Sequence, residues 1–237
     1  MFRAIFSIIL WPIGAIIFLI GTIVYSVSIV FFSPNKLHPL ARVLARIFML
    51  FGGQWFRVKG IAPDPKNGPY LYMINHASLF DAMMVVASIR HYFTGVGKVE
   101  QFSYPIWGYL AKQYGVIPIV RQQLGQAINS LVKVEEAIRK GVSIMLAPEG
   151  TRTLTGQLGT FKKGPFHVAI NTGVTIIPMG LLGAYSAKSK NDWRIQPGIL
   201  TTVFGDPITN KDYENLSLEE LQKLVKKKIS ELIRTKL

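Results

Sequence analysis

From Ala4 to Phe32 the chain carries no charged residue, reading AIFSIILWPIGAIIFLIGTIVYSVSIVFF. The run exceeds the roughly 20 residues that cross a bilayer core. It also exceeds the apolar stretch of a cleavable signal, and Arg3 alone precedes it, so an anchor is favoured over a removed leader. A second apolar segment, Leu37 to Phe51, places Arg42 and Arg46 four apart on one face. That spacing fits an interfacial helix with both cations at the lipid–water boundary. Two topologies fit the pair: a spanning first helix, or a hairpin dipping into one leaflet. Lys36, Arg42, Arg46, Arg57 and Lys59 outweigh Arg3, which predicts a cell-membrane protein with its body on the cytoplasmic side.

The net charge of +14 calls for an anionic partner, either nucleic acid or an acidic membrane surface. Nucleic acid is disfavoured, because no recognition module and no aromatic–basic interleaving is present. The absence of cysteine excludes disulfides, thiolate metal sites and a cysteine nucleophile.

The pattern changes after Gly60. Buried strands are predicted at Tyr70–Asn75, Tyr92–Lys98, Val116–Val120, Val142–Ala147 and Thr175–Leu182. Helices are predicted over 80–90, 106–113 and 126–140, with a hairpin-like edge over 194–204. A final amphipathic helix opens on a Ser217/Glu220 capping box and runs to about 235. The alternation argues for an α/β fold with a part-parallel sheet flanked by helices. The expected division is an anchoring segment, 1–53, and a catalytic domain, 54–237.

Two segments carry chemistry. Tyr70–Asn75 runs straight into His76, and Asp81 follows five positions later. A histidine at the carboxyl end of a buried strand is where open α/β sheets place their chemistry. A carboxylate reaching one imidazole nitrogen leaves the other as a base. No partner nucleophile is evident, and nothing marks Ser78 as activated, so the nucleophile is expected to be the substrate's own hydroxyl. Taken alone, this pair serves equally well as a helix cap and turn contact. The second segment is Pro148-Glu149-Gly150-Thr151-Arg152, after the strongest strand, where Arg152 offers a planar fork for phosphate. Lys162 and Lys163, before Gly164-Pro165, read as added positive potential at a helix start or as an ordinary basic loop. His38, His91 and His167 form no metal-ligand spacing.

NHASLFD (75–81), GVIPIVR (115–121), PEGTR (148–152) and IIPMG (176–180), with FKKG (161–164) between the last two, occur in an order that resembles the 1-acylglycerol-3-phosphate (lysophosphatidate) acyltransferase family. The resemblance covers Tyr70 to Leu182 and implies a glycerolphosphate-acyltransferase-like fold. It further implies His76 as general base with Asp81 orienting it. Glu149, Gly150, Thr151 and Arg152 would bind the acceptor, Arg121 would hold its phosphate, and Lys98 would assist. The implied donor is acyl-CoA or acyl carrier protein, and the implied acceptor a lysophosphatidate drawn from the bilayer; no metal or prosthetic group is expected. Other readings are a different lysolipid acceptor, or a lipid-binding protein without chemistry, for which the His76–Asp81 pair has no use.

Overall fold

A computed structural model describes residues 2–120 and 124–234. Helices α1 (Phe2–Phe31) and α2 (Pro34–Phe51) lead into strand β1 (Gln54–Lys59) and then β2 (Tyr70–Ile74). The middle of the chain alternates α3 (Asp81–Ser88), β3 (Phe93–Lys98), α4 (Pro105–Tyr114), β4 (Ile117–Ile119), α5 (Leu124–Arg139) and β5 (Ser143–Leu146). It closes with α6 (Gly164–Thr172), β6 (Thr175–Leu182), α7 (Ala184–Ala187), β7 (Gly198–Phe204), α8 (Asn210–Tyr213) and α9 (Leu218–Arg234).

The strands form one mixed sheet in the order β1-β7-β6-β2-β5-β3-β4. Strands β2 to β6 run parallel, and β7 turns back against β6, with β1 parallel to β7. The predicted hairpin-like edge is thus corrected in two ways. The return from β6 to β7 is a long loop carrying α7, and the edge strand is β1, which the apolar pattern did not reveal. Trp55 and Val58 of β1 stay exposed and only Gln54 is buried, so the strand has no buried apolar alternation to read.

Strand β2 shows how the two layers divide. Tyr70, Tyr72 and Ile74 face a core shared with α2 and α3, whereas Leu71 and Met73 face one shared with α5, α6 and α9. Helix α9 lies against β6 because Gly180 has no side chain: a Cβ there would stand 2.8 Å from that of Leu232. The predicted capping box forms, with Ser217 N–H donating to Glu220 Oε2 at 2.8 Å and Glu220 N–H to Ser217 Oγ at 3.3 Å.

Among the described residues, α1 is the one helix long and apolar enough to cross a membrane. Its 30 residues span about 45 Å. The helix is held to the body along that length. Ile195 N–H donates to Ser7 Oγ at 2.8 Å, and Trp11 Nε1 donates to the carbonyl of Trp193 at 2.8 Å. Further along, Phe18 meets Phe48 edge-on, and Tyr25 is buried beside Tyr114. Its other face shows Ile8, Ile16, Leu19, Ile23 and Val27 to the exterior. Helix α2 goes deeper: Ala45 and Met49 belong to the core beneath the sheet. Arg46 stays exposed while donating to the carbonyl of Ala87 at 3.2 Å. His38 is buried, bonded to Tyr114 Oη at 2.9 Å and to the carbonyl of Ile89 at 3.0 Å.

Because Met49 is fully enclosed, Met49→Ala is expected to destabilise the whole protein by about 2–5 kcal/mol. Denaturant unfolding in detergent checks this. A change below about 1 kcal/mol would mean that α2 sits on the fold without supporting it.

Candidate active site

Parallel pairing of β2 with β5, Leu71 opposite Ile144 and Met73 opposite Leu146, brings two carboxyl ends side by side. His76 follows one strand and Pro148–Arg152 the other, so both chemical segments converge at one sheet edge. Asn75 fixes the end of β2, its Nδ2 donating to the carbonyl of Leu181 at 3.0 Å and its Oδ1 accepting Leu181 N–H at 2.7 Å. The side chain continues the β2–β6 pairing one residue past the strand.

His76 Nδ1 lies 2.7 Å from Asp81 Oδ2. The same oxygen accepts the N–H groups of Ala77 at 2.7 Å and Ser78 at 2.8 Å. Asp81 is therefore the first residue of α3 and also the anchor of the loop before it. An ionised carboxylate only accepts, which places a proton on His76 Nδ1 and leaves the Nε2 lone pair free. The Asp81 side chain is 2% exposed while that of His76 is 29% exposed, so the imidazole reaches the surface and its partner does not. Ser78 is buried, its hydroxyl donating to the carbonyl of Lys188 at 2.8 Å. Among the described residues no hydroxyl is bonded to His76.

The backbone of His76 is clamped by the second segment. Its N–H donates to Glu149 Oε1 at 2.8 Å, and its carbonyl accepts Thr153 N–H at 2.8 Å. Glu149 Oε2 accepts Gly159 N–H at 2.7 Å. Burial pushes the Glu149 carboxyl above its ordinary value, against the lowering effect of these two bonds. Gly150 takes a left-handed conformation at φ +70°, which turns the chain between Glu149 and Arg152.

The structure brings His76, Asp81, Glu149, Gly150, Thr151 and Arg152 together. Glu149 turns both oxygens onto backbone N–H groups, so it positions His76. Thr151 is exposed, its hydroxyl accepting from Lys190 Nζ at 3.2 Å. Arg152 is half-buried and has no carboxylate partner among the described residues. Lys98 ends β3, three residues past the Gly95–Met145 pairing and so at the same sheet edge, where Glu100 pairs with it at 3.2 Å. Arg121 lies outside the described residues. Lys163 is drawn to Glu219 at 2.7 Å, away from the site. No group of three or more metal-ligating side chains occurs among the described residues. The roles of Asn75 and of the 183–197 loop escaped sequence reasoning: Asn75 shows no periodicity, and the lysines of that loop look like surface charge.

Glu149→Gln leaves one of the two N–H groups facing an NH2, which is expected to cost about 1–3 kcal/mol. Denaturant unfolding, with a fall in turnover alongside, tests this. Unchanged stability would contradict the positioning role.

Comparison with known proteins agrees with this geometry. A family model described as Acyltransferase matches residues 56–182. A 1-acyl-sn-glycerol-3-phosphate acyltransferase of Cocos nucifera is 32% identical over 77% of this chain, which spans 59% of that protein's length. One of Haemophilus influenzae is 30% identical over 92% of this chain and 90% of its own. The crystal structure of a 1-acyl-sn-glycerophosphate acyltransferase of Thermotoga maritima, 21% identical, superimposes with a TM-score of 0.85 over 97% of this chain and 95% of that one, and so shares the fold. This chain belongs to the acyltransferase family, alongside the 1-acyl-sn-glycerol-3-phosphate acyltransferases.

Proposed function

We propose that the protein transfers a fatty acyl group from an acyl thioester, on coenzyme A or acyl carrier protein, to the sn-2 hydroxyl of 1-acylglycerol-3-phosphate, forming phosphatidate. The observation that carries this reading is the His76–Asp81 pair, which leaves Nε2 free at the sheet edge where, among the described residues, no nucleophile is bonded to it. A base without a nucleophile of its own activates one supplied by the substrate.

His76 Nε2 removes the hydroxyl proton as that oxygen attacks the thioester carbonyl. The resulting imidazolium is stabilised by Asp81. Collapse of the tetrahedral adduct breaks the C–S bond, and the imidazolium proton passes to the departing thiolate. Arg152 holds the acceptor's phosphate, Lys98 at the same sheet edge adds positive potential, and Arg121 is assigned the same role from its motif alone. A different lysolipid acceptor is the second reading, favoured if headgroup charge proves unimportant.

The anchor supports this role. A helix tied to the body at Ser7, Trp11 and Tyr25 cannot cross a bilayer without drawing the body in with it. We therefore read α1 as lying in one leaflet, its outer apolar face in lipid and the catalytic edge at the headgroups. The net charge of +14 favours the anionic cytoplasmic leaflet of the cell membrane.

His76→Ala is expected to lower kcat by roughly 10²–10⁴-fold with the fold intact. Arg152→Ala is expected to raise the acceptor's KM more than the donor's. Product analysis by mass spectrometry in nanodiscs checks both. Undiminished turnover in the first variant sinks the base assignment, and equal KM effects in the second refute the phosphate role.

A further inference from the structure

The loop between β6 and β7 approaches the site from the side opposite β5. Lys188 is 8% exposed, yet its ammonium donates only to the adjoining carbonyl of Ser189, at 2.8 Å, among the described residues. Buried ammonium groups are almost always paired with a carboxylate. Here the nearest charges are mostly of the same sign. Burial and then Arg152 push the Lys188 ammonium below its ordinary value; Asp192 opposes them, and Arg3 adds to the lowering. Asp192, the one acid of the 183–197 loop, is already shared: Arg194 grips it at 2.9 Å and Arg3 lies 3.4 Å away. Lys188 is also fixed to the catalytic loop, since Ser78 Oγ donates to its carbonyl. Lys190 reaches the other segment at Thr151 Oγ1. A cleft of about 550 Å³ opens beside this cluster, bordered by Ala4 of α1, by Leu154, Tyr185 and Trp193, and by the paired Asp192 and Arg194.

A buried lysine held among cations, next to an arginine without a carboxylate partner, is a site short of an anion. The acceptor of the proposed reaction supplies one. A phosphomonoester, with a second ionisation near pH 6, carries close to two charges at neutral pH, whereas a phosphodiester carries one. We propose that Lys188 and Lys190 complete the phosphate cradle with Arg152 and set the selectivity for a phosphomonoester headgroup over a phosphodiester one. The proposal rests on the acyl-acceptor reading above and names the residues of this loop that make the headgroup choice. Lys188 bonds the phosphate oxygens directly, with charge-assisted hydrogen bonds, and the exposed Lys190 closes the cradle from the rim.

The test compares wild type, Lys188→Met, Lys188→Arg and Lys190→Ala in nanodiscs, using 1-acylglycerol-3-phosphate and the matching lysophosphatidylglycerol as acceptors. Lys188→Met is expected to raise the KM for the phosphomonoester roughly tenfold, the scale of one charge-assisted hydrogen bond. The donor's KM should stay within about twofold, the phosphodiester's KM should move little, and Lys188→Arg should restore most of the loss. Lys190→Ala, at an exposed position, should give a smaller shift in the same direction even if Lys188→Met folds poorly. Unchanged phosphomonoester KM in Lys190→Ala and in folded Lys188→Met overturns the proposal, as does an equal rise for both acceptors. Calorimetric binding of a soluble short-chain 1-acylglycerol-3-phosphate, to His76→Ala protein with and without Lys188→Met, separates the two readings. If no phosphatidate forms, binding weakened roughly tenfold by Lys188→Met keeps the phosphate site while the reaction assignment falls. No binding, or equal binding, removes the site itself.

Discussion

The parallel register of β2 between β5 and β6 determines where every chemical group lies. Leu71 pairs with both Ile144 and Ile176, so all five residues of β2 are enclosed from both sides and both faces. Strands so placed end together, and their loops leave at one edge. Asn75 extends the pairing to β6 by a side chain, and Glu149 spans from β5 to the backbone of His76. His76 is thus attached to three strands before its own side chain makes a contact. That rigidity matters because a base displaced by about 1 Å can lose two orders of magnitude in rate.

Charge is distributed in the same logical order. The buried carboxylates arrange the histidine, Asp81 through Oδ2, which accepts two backbone N–H groups, and Glu149 through both oxygens, which accept one each. The cations Arg152, Lys188 and Lys190 lie on or against the two loops that carry His76 and Glu149, without carboxylate partners among the described residues. The helix pair places apolar α1 beside the cleft at Ala4, and in the proposed reading a lipid tail remains in hydrocarbon there while its headgroup meets the cations.

Much of this was legible in the sequence, for physical reasons. Buried parallel strands are short apolar runs, so β2, β5 and β6 could be bounded within a residue or two. The His76–Asp81 pair and the turn at Gly150 are local, and local geometry follows from spacing. What was not legible depends on distant partners. Strand β1 buries only Gln54 and exists because β7 pairs with it, and the direction of β7 is set by β6 across a long loop. The uncharged run predicted a helix, yet its posture is decided by Ser7 and Trp11 meeting the 183–197 loop and Tyr25 meeting Tyr114, all far along the chain. The resemblance assigns Glu149 to the acceptor as part of the PEGTR motif, and nothing local shows that its oxygens turn inward. Lys188 resembles any surface lysine until the fold encloses it.

The central claim is that His76 activates the acceptor's own hydroxyl, with no acyl group ever resting on the protein. Mixing the enzyme with an acyl thioester in the absence of acceptor tests this directly, by following thiol release together with intact-protein mass. The account predicts no burst of thiol and no gain in mass until the lysolipid is added. One equivalent of thiol with an acyl adduct on the chain would contradict it, and would mean that a residue of the enzyme is the nucleophile.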